Sequence, residues 1–202
     1  KGKKALEAII EYSGNENLDF FECDLSLVAN VKDLSDKIKQ KYSKIDVLLN
    51  NAGGANKTKQ ITTEGLEKTF ATNQMNYFVL STELLEIISE SDDGRIVNVA
   101  SNAHIGAEVD YENINSEKSF SAWTSYCVSK LMNIMFTYQL SSIQDKVSVN
   151  VLHPGFVDTN IAGNEGNFIK YIVKLGAKMF ARTVDSGADS SIYLSTSDEV
   201  QN

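Results

Sequence analysis

Three short apolar runs constrain this chain more than any other feature. Residues 45–49 (Ile45-Asp46-Val47-Leu48-Leu49) read as a strand buried on both faces, and the run stops abruptly at Asn50-Asn51-Ala52-Gly53. Residues 95–101 form a second run that finishes on Ser101. Residues 146–152 form a third, closed by His153-Pro154-Gly155. Between the first two, Thr62 or Thr63 opens a long helical pattern through Leu66, Phe70, Phe78, Leu80, Leu84, Leu85 and Ile88. Asn73 lies near its middle, and Asp93-Gly94 ends that stretch. Between the second and third, a polar loop of about twenty residues leads to a helix carrying Tyr126 and Lys130 and continuing to about 142. Strands separated by helices mean βαβ units, hence an α/β fold with a doubly wound parallel sheet covered on both faces.

The flanks extend the pattern. Residues 3–13 look helical, with Leu6, Ile9 and Ile10 on one side, and 18–23 reads as a short strand ending at Asp24-Leu25-Ser26. Ser26 is placed to cap a helix over 27–42 whose apolar face holds Val31, Leu34 and Ile38. After Gly155 come a glycine-containing excursion (156–183) and a helix from 185 to 194. With 202 residues, one proline, no repeat and no low-complexity stretch, the chain reads as a single domain, 1–202, able to bury a core.

Ligands of such sheets bind at the carboxyl edges of the strands. Asp24, Asn51, Gly53, Ser101, Pro154 and Gly155 all sit at such an edge, which is the main argument for a site. Tyr126 and Lys130 are four apart, so on a helix they share a face. An ammonium beside a phenol favours the phenolate and draws its pKa down, as general acid–base work requires. Each other candidate has an ordinary alternative. Ser101 can donate to a substrate carbonyl or bond its own backbone. Asn51-Ala52-Gly53 lets a flat ligand approach the backbone or is simply a tight turn. Asn73 is an amide with a task inside an apolar helix, or it faces the surface. Pro154-Gly155 turns the chain in either case, and His104 and His153 read as structural.

Charge narrows the classes of function. Acidic residues outnumber basic ones, 27 against 19, for a net charge of −8, which disfavours nucleic acid and anionic lipid surfaces as main partners. No run approaches the roughly 18 apolar residues of a membrane span. Cys23 and Cys127 are far apart, fit no metal spacing and read as reduced thiols of a cytoplasmic-type interior. No metal site is expected.

Taken together, Asn50-Asn51-Ala52-Gly53, Asn73, Ser101, the Tyr126/Lys130 pair and Pro154-Gly155 with Thr159 resemble the short-chain dehydrogenase/reductase family over nearly the whole chain. The long loop before Tyr126, His153, and Glu117-Lys118 followed by Phe120 are similar to its retinol-dehydrogenase-like branch. The resemblance implies a Rossmann-type, three-layer NAD(P)-binding domain. Its activity would be an oxidoreductase interconverting an alcohol with an aldehyde or ketone, on a lipophilic, retinol- or steroid-like substrate. It makes Tyr126 the proton donor and acceptor, with Lys130 lowering its pKa and holding the nicotinamide ribose. Ser101 orients the substrate oxygen, and Asn73 anchors a proton-relaying water. Asp24 and Leu25 flank the adenine, and Asn51, Ala52 and Gly53 line the cofactor. Pro154, Gly155, Val157 and Thr159 meet its nicotinamide end, and 156–183 forms a substrate lid. The cofactor is NADP or NAD, leaning to NADP.

The pattern also breaks. No closely spaced glycines follow a strand, so the phosphate-binding loop of the family is absent from these residues. By resemblance the sequence starts on the second helix and lacks the first two strands, which in the order 3-2-1-4-5-6 would lie between 18–23 and 45–49. It is therefore expected to be part of a longer enzyme, to leave the edge of 45–49 unpaired, and to bind dinucleotide poorly alone. A membrane anchor before Lys1 stays open. Asn76 stands where the resemblance leads to glycine. Residues 64–91 and 122–142 offer a face for a homodimer but would serve a core equally well. The alternatives are a non-catalytic dinucleotide-binding protein on the same fold, against which both Tyr126 and Lys130 argue, and a sugar-nucleotide epimerase or dehydratase, against which the Asn-Asn-Ala-Gly turn argues.

Overall fold

The computed structural model describes residues 2–155 and 183–200. Two helices come first, α1 (Gly2–Ser13) and α2 (Val28–Lys41), followed by β1 (Val47–Asn50). A continuous helical run then starts as α3 (Lys68–Phe70), widens into a π turn (Ala71–Met75) and proceeds as α4 (Asn76–Ser89). After it come β2 (Gly94–Val99), a 3-10 turn (Asn102–His104), α5 (Ala122–Ile143), β3 (Val147–Leu152) and α6 (Val184–Thr196).

The three strands form one parallel sheet in the order β1-β2-β3, with Asn50 level with Asn98 and Val99 level with Leu152. Alternation of side chains across the pleat assigns each residue to a face. Ile96, Val147 and Val149 pack into a core with Val79, Leu80, Leu84 and Ile88 of α4, Leu140 of α5 and Val31 of α2. Val97, Val99 and Leu152 point the other way, onto Leu194 of α6. This is the three-layer α/β architecture expected.

Three expectations need correction. Residues 18–23 are not a strand, because among the described residues no strand lies alongside to complete a ladder. Ser26 does not cap α2; its amide and hydroxyl both donate to Asp24 Oδ1, at 3.0 and 2.7 Å. The cap is tertiary instead: the Glu64 carboxylate accepts from the Val28 and Ala29 amides at 2.6 and 2.9 Å. The long helix begins at Lys68, not at Thr62 or Thr63. Thr62 and Leu66 close a turn with Gly65 at φ +82°, and the buried Glu67 carboxylate takes the Thr69 and Phe70 amides at 3.0 and 2.9 Å. The lid expected at 156–183 lies, up to residue 182, outside the described residues.

Two contacts at the amino end of the sheet fix its packing. Buried Arg95 grips Asp93 through two hydrogen bonds and donates to the carbonyls of Leu194 and Ser197 at 3.2 and 2.8 Å, tying the end of α6 to β2. At Gly94, the space a Cβ would occupy is filled by the Ile88 carbonyl. Gly94→Ala must therefore push backbone aside. It is expected to destabilise by about 1–3 kcal/mol, read from the urea midpoint, whereas at Gly14, in open space, the cost of Gly14→Ala comes from its φ of +67° and not from overlap.

Candidate active site

The carboxyl ends of β1 and β2 and one face of α5 meet at a single cluster. Ser121 opens α5 by accepting the Thr124 amide at 3.3 Å. From that start, Tyr126, Ser129 and Lys130 all turn inward and are buried. Facing them, the π turn rotates Asn73 into the interior, where it is fully buried. Asn73 Nδ2 donates to the Gly54 carbonyl and to Ser129 Oγ, both at 2.9 Å, and Oδ1 accepts the Gly54 amide at 2.9 Å. Ser129 Oγ in turn donates to the Tyr126 carbonyl at 2.7 Å. One amide thus ties the loop after β1 to α5.

Lys130 crosses to the sheet. Its Nζ donates to the Val99 carbonyl at 2.8 Å and lies 6.0 Å from the Tyr126 ring centroid and 5.4 Å from that of Tyr77. With no carboxylate partner among the described residues, burial pulls its pKa down to about 8. Tyr126 does not show the lowered pKa expected from its lysine. Burial raises it, the nearby Ser101 hydroxyl opposes the rise without a hydrogen bond of normal geometry, and Lys130 is turned toward Val99. Ser101 is half-buried; its hydroxyl accepts the Ala103 amide at 3.2 Å, and its carbonyl pairs with His104 Nδ1 at 2.6 Å.

The other expected positions divide. Asn51, Ala52 and Gly53 are exposed at the end of β1, beside this cluster. A Cβ at Gly53 would sit 3.0 Å from Asn73 Oδ1 and 3.4 Å from Lys130 Nζ, so glycine leaves open the space above the ammonium. Pro154 and Gly155 follow β3, and Gly155 has φ +78°, which glycine adopts freely. Asp24 and Leu25 share no hydrogen bond with the cluster. Asp24 is held below the usual carboxylate range chiefly by the Ser26 hydroxyl, and Leu25 packs on the α4 core. Val157 and Thr159 lie outside the described residues.

The sequence reading missed Gly54, Ser129 and Tyr77. Ser129 lies inside the Tyr126–Lys130 stretch itself, and Tyr77 lies four residues after Asn73, so helical spacing from known members would have found both. Trp123, one turn before Tyr126 with its ring centroid 6.2 Å from the tyrosine ring, was missed as well.

The fit of a nicotinamide dinucleotide can be tested on these atoms. Lys130 has three N–H donors and uses one, so two remain for hydroxyl oxygens under the space that Gly53 leaves open. That suits the ribose next to a nicotinamide. The pyrophosphate half finds no glycine-rich turn among these 202 residues.

The sequence pattern of the short chain dehydrogenase family matches residues 1–169. Human retinol dehydrogenase 14 is 35% identical over 193 residues, covering 94% of this chain and 57% of that protein. Human polyprenol dehydrogenase is 30% identical over 209 residues, covering 100% of this chain and 63% of that protein. The chain thus spans only part of the length of these relatives. A short-chain dehydrogenase from Sphingobium yanoikuyae, solved with NADPH, superposes with a TM-score of 0.72 over 96% of this chain and 69% of its own, at 20% identity. The chain belongs to the short-chain dehydrogenase/reductase family, in its retinol-dehydrogenase-like branch.

Proposed function

We propose that this chain carries the proton-transfer and substrate-orienting half of an NAD(P)-dependent oxidoreductase that interconverts an alcohol with an aldehyde or ketone. The observation that carries the reading is the convergence of Tyr126, Lys130, Ser101 and Asn73 at one strand edge, with the phenol and the ammonium both buried. When bound, the nicotinamide supplies or accepts the hydride. The protein then has to hold the oxygen of the substrate and move one proton.

Tyr126 Oη is the proton donor in reduction and the acceptor in oxidation. Its raised pKa keeps it neutral at rest, ready to donate to an oxygen that gains negative charge. Ser101 Oγ, on the same side, donates a hydrogen bond to that oxygen. Lys130 would hold the ribose through its two remaining donors. Asn73 fixes the distance between the two walls of the site, and one lone pair of its Oδ1 stays open for a relayed water. NADP is the favoured dinucleotide, since structural neighbours were solved with NADPH and with NADP. A lipophilic substrate is supported by the names of the relatives, retinol and polyprenol dehydrogenases. A non-catalytic dinucleotide-binding role is disfavoured because the tyrosine and the lysine are both present and both turned inward.

Turnover is to be followed by NAD(P)H absorbance with panels of aldehydes, ketones and alcohols, in a chain joining these residues to a glycine-rich phosphate loop. Tyr126→Phe is expected to cut kcat/KM by about 10²–10⁴-fold while leaving the fold intact; unchanged turnover would refute the assignment. The 202 residues alone are expected to bind NADPH weakly, and a micromolar Kd from calorimetry would contradict that.

The burial of Lys130 also predicts a pH dependence of stability. Its pKa is about 8 in the folded chain against 10.5 in its ordinary state, so between those values the unfolded chain binds more protons. Stability from this group therefore rises with pH from about 8, by at most about 3 kcal/mol. Tyr77 and Tyr126 reverse the trend above pH 10, because there the phenols of the unfolded chain ionise while the buried ones stay neutral, which favours unfolding. Urea titrations across this window should show the rise, and Lys130→Met should flatten it.

A further inference from the structure

Lys130 is a cation in an unusual setting. It is 4% exposed, makes no ion pair among the described residues, and has one hydrogen-bond acceptor, the Val99 carbonyl. The groups placed around it are neutral: Val99 O from β2, Tyr77 from α4, Asn73 from the π turn, and Tyr126 from its own helix. A desolvated ammonium without a counter-ion favours losing its proton unless some neutral group stabilises the charge.

We infer that Tyr77 is a positioning residue for Lys130, its ring face holding the buried ammonium charged and aimed across the Val99 carbonyl toward the open space above Gly53. The ammonium lies 5.4 Å from the Tyr77 centroid, closer than to the Tyr126 ring at 6.0 Å, and within cation–π range. Tyr77 is fully buried, so water does not screen the attraction. Its hydroxyl points at the same carbonyl that Lys130 uses, donating to Val99 O at 3.4 Å, and this long bond pins the ring in place beneath the ammonium.

The ring acts as a ring and not as an anion. Burial drives the Tyr77 pKa far up, so the phenol stays neutral over the whole working range. Its effect on Lys130 comes from the negative face of the π system. The pairing also follows the geometry of the helices. Asn73 meets Ser129 and, one turn further along the helical run, Tyr77 meets Lys130, the next residue of α5. The importance of this charge for a cofactor hydroxyl rests on the function proposed above, but the contact itself does not.

The test reads the ammonium directly. In protein labelled with ¹⁵N and ¹³C at lysine, the Lys130 side-chain signal is identified by its loss in Lys130→Arg, and its pKa is followed by NMR. Tyr77→Phe keeps the ring and should leave the pKa in place. Phenylalanines bearing one, two and three fluorines at position 77 keep the shape but drain the ring face. They should lower the pKa stepwise, by about one unit in total, and Tyr77→Leu should lower it by a similar amount. A pKa that is flat across the fluorine series overturns the inference, as does a drop in Tyr77→Phe equal to that in Tyr77→Leu. The fluorinated rings hold the packing constant, so the result does not depend on Tyr77→Leu folding. Because no turnover is needed, failure here leaves the oxidoreductase reading standing, and failure of that reading leaves this one standing.

Discussion

The rest of the site depends on the three hydrogen bonds of one buried amide. Asn73 closes on both backbone groups of Gly54 and on the Ser129 hydroxyl, each at 2.9 Å, so the loop leaving β1, the π turn and α5 are held as one unit. A fully buried amide is costly unless its hydrogen bonds are made, which gives this arrangement little freedom to shift. The π turn is what makes the contact geometrically available. The one added residue in that turn rotates Asn73 toward α5, while α4 keeps Leu80, Leu84 and Ile88 on the sheet.

Around that clamp the interior between the sheet and the two helices is more polar than a core needs to be. Asn50 Nδ2 donates to Asn98 Oδ1 at 2.8 Å and to Ser81 Oγ at 3.0 Å; Asn98 Nδ2 donates to Thr137 Oγ1 at 2.9 Å. These partners are level because Asn50 and Asn98 are in register across the two strands. A connected network of this kind specifies register, since a slip would leave several buried polar atoms without partners. It also puts Lys130 in an environment of dipoles without opposite charge. That is why burial, not ion pairing, governs its proton affinity and that of Tyr126.

Much of this was legible beforehand. The strands 45–49, 95–101 and 146–152 and the helix of Tyr126 were visible because apolar runs and their spacing report burial directly. The candidate residues Asn73, Ser101, Tyr126 and Lys130 stand out because each is a polar residue at a strand edge or in an apolar helix. What failed has a common cause. Residues 18–23 have strand composition, but a strand also needs a neighbour, and composition does not encode whether one is present. Ser26 has the right type and place for a helix cap, yet Asp24 two residues earlier captures it, and Glu64 from a distant loop takes over. The start of the long helix was misplaced because Glu67, unlike a threonine, reaches its own helix amides only once it is buried in the tertiary structure.

The sequence by itself determined the α/β architecture, the order of strands and helices, and which side chains could do chemistry, because these follow from local periodicity and residue type. Only the tertiary structure decided the electrostatics. Whether a tyrosine beside a lysine is made more or less acidic depends on what else surrounds them. Here the ammonium turned to a backbone carbonyl and an aromatic ring, and the loss of water outweighed the attraction that spacing alone suggested.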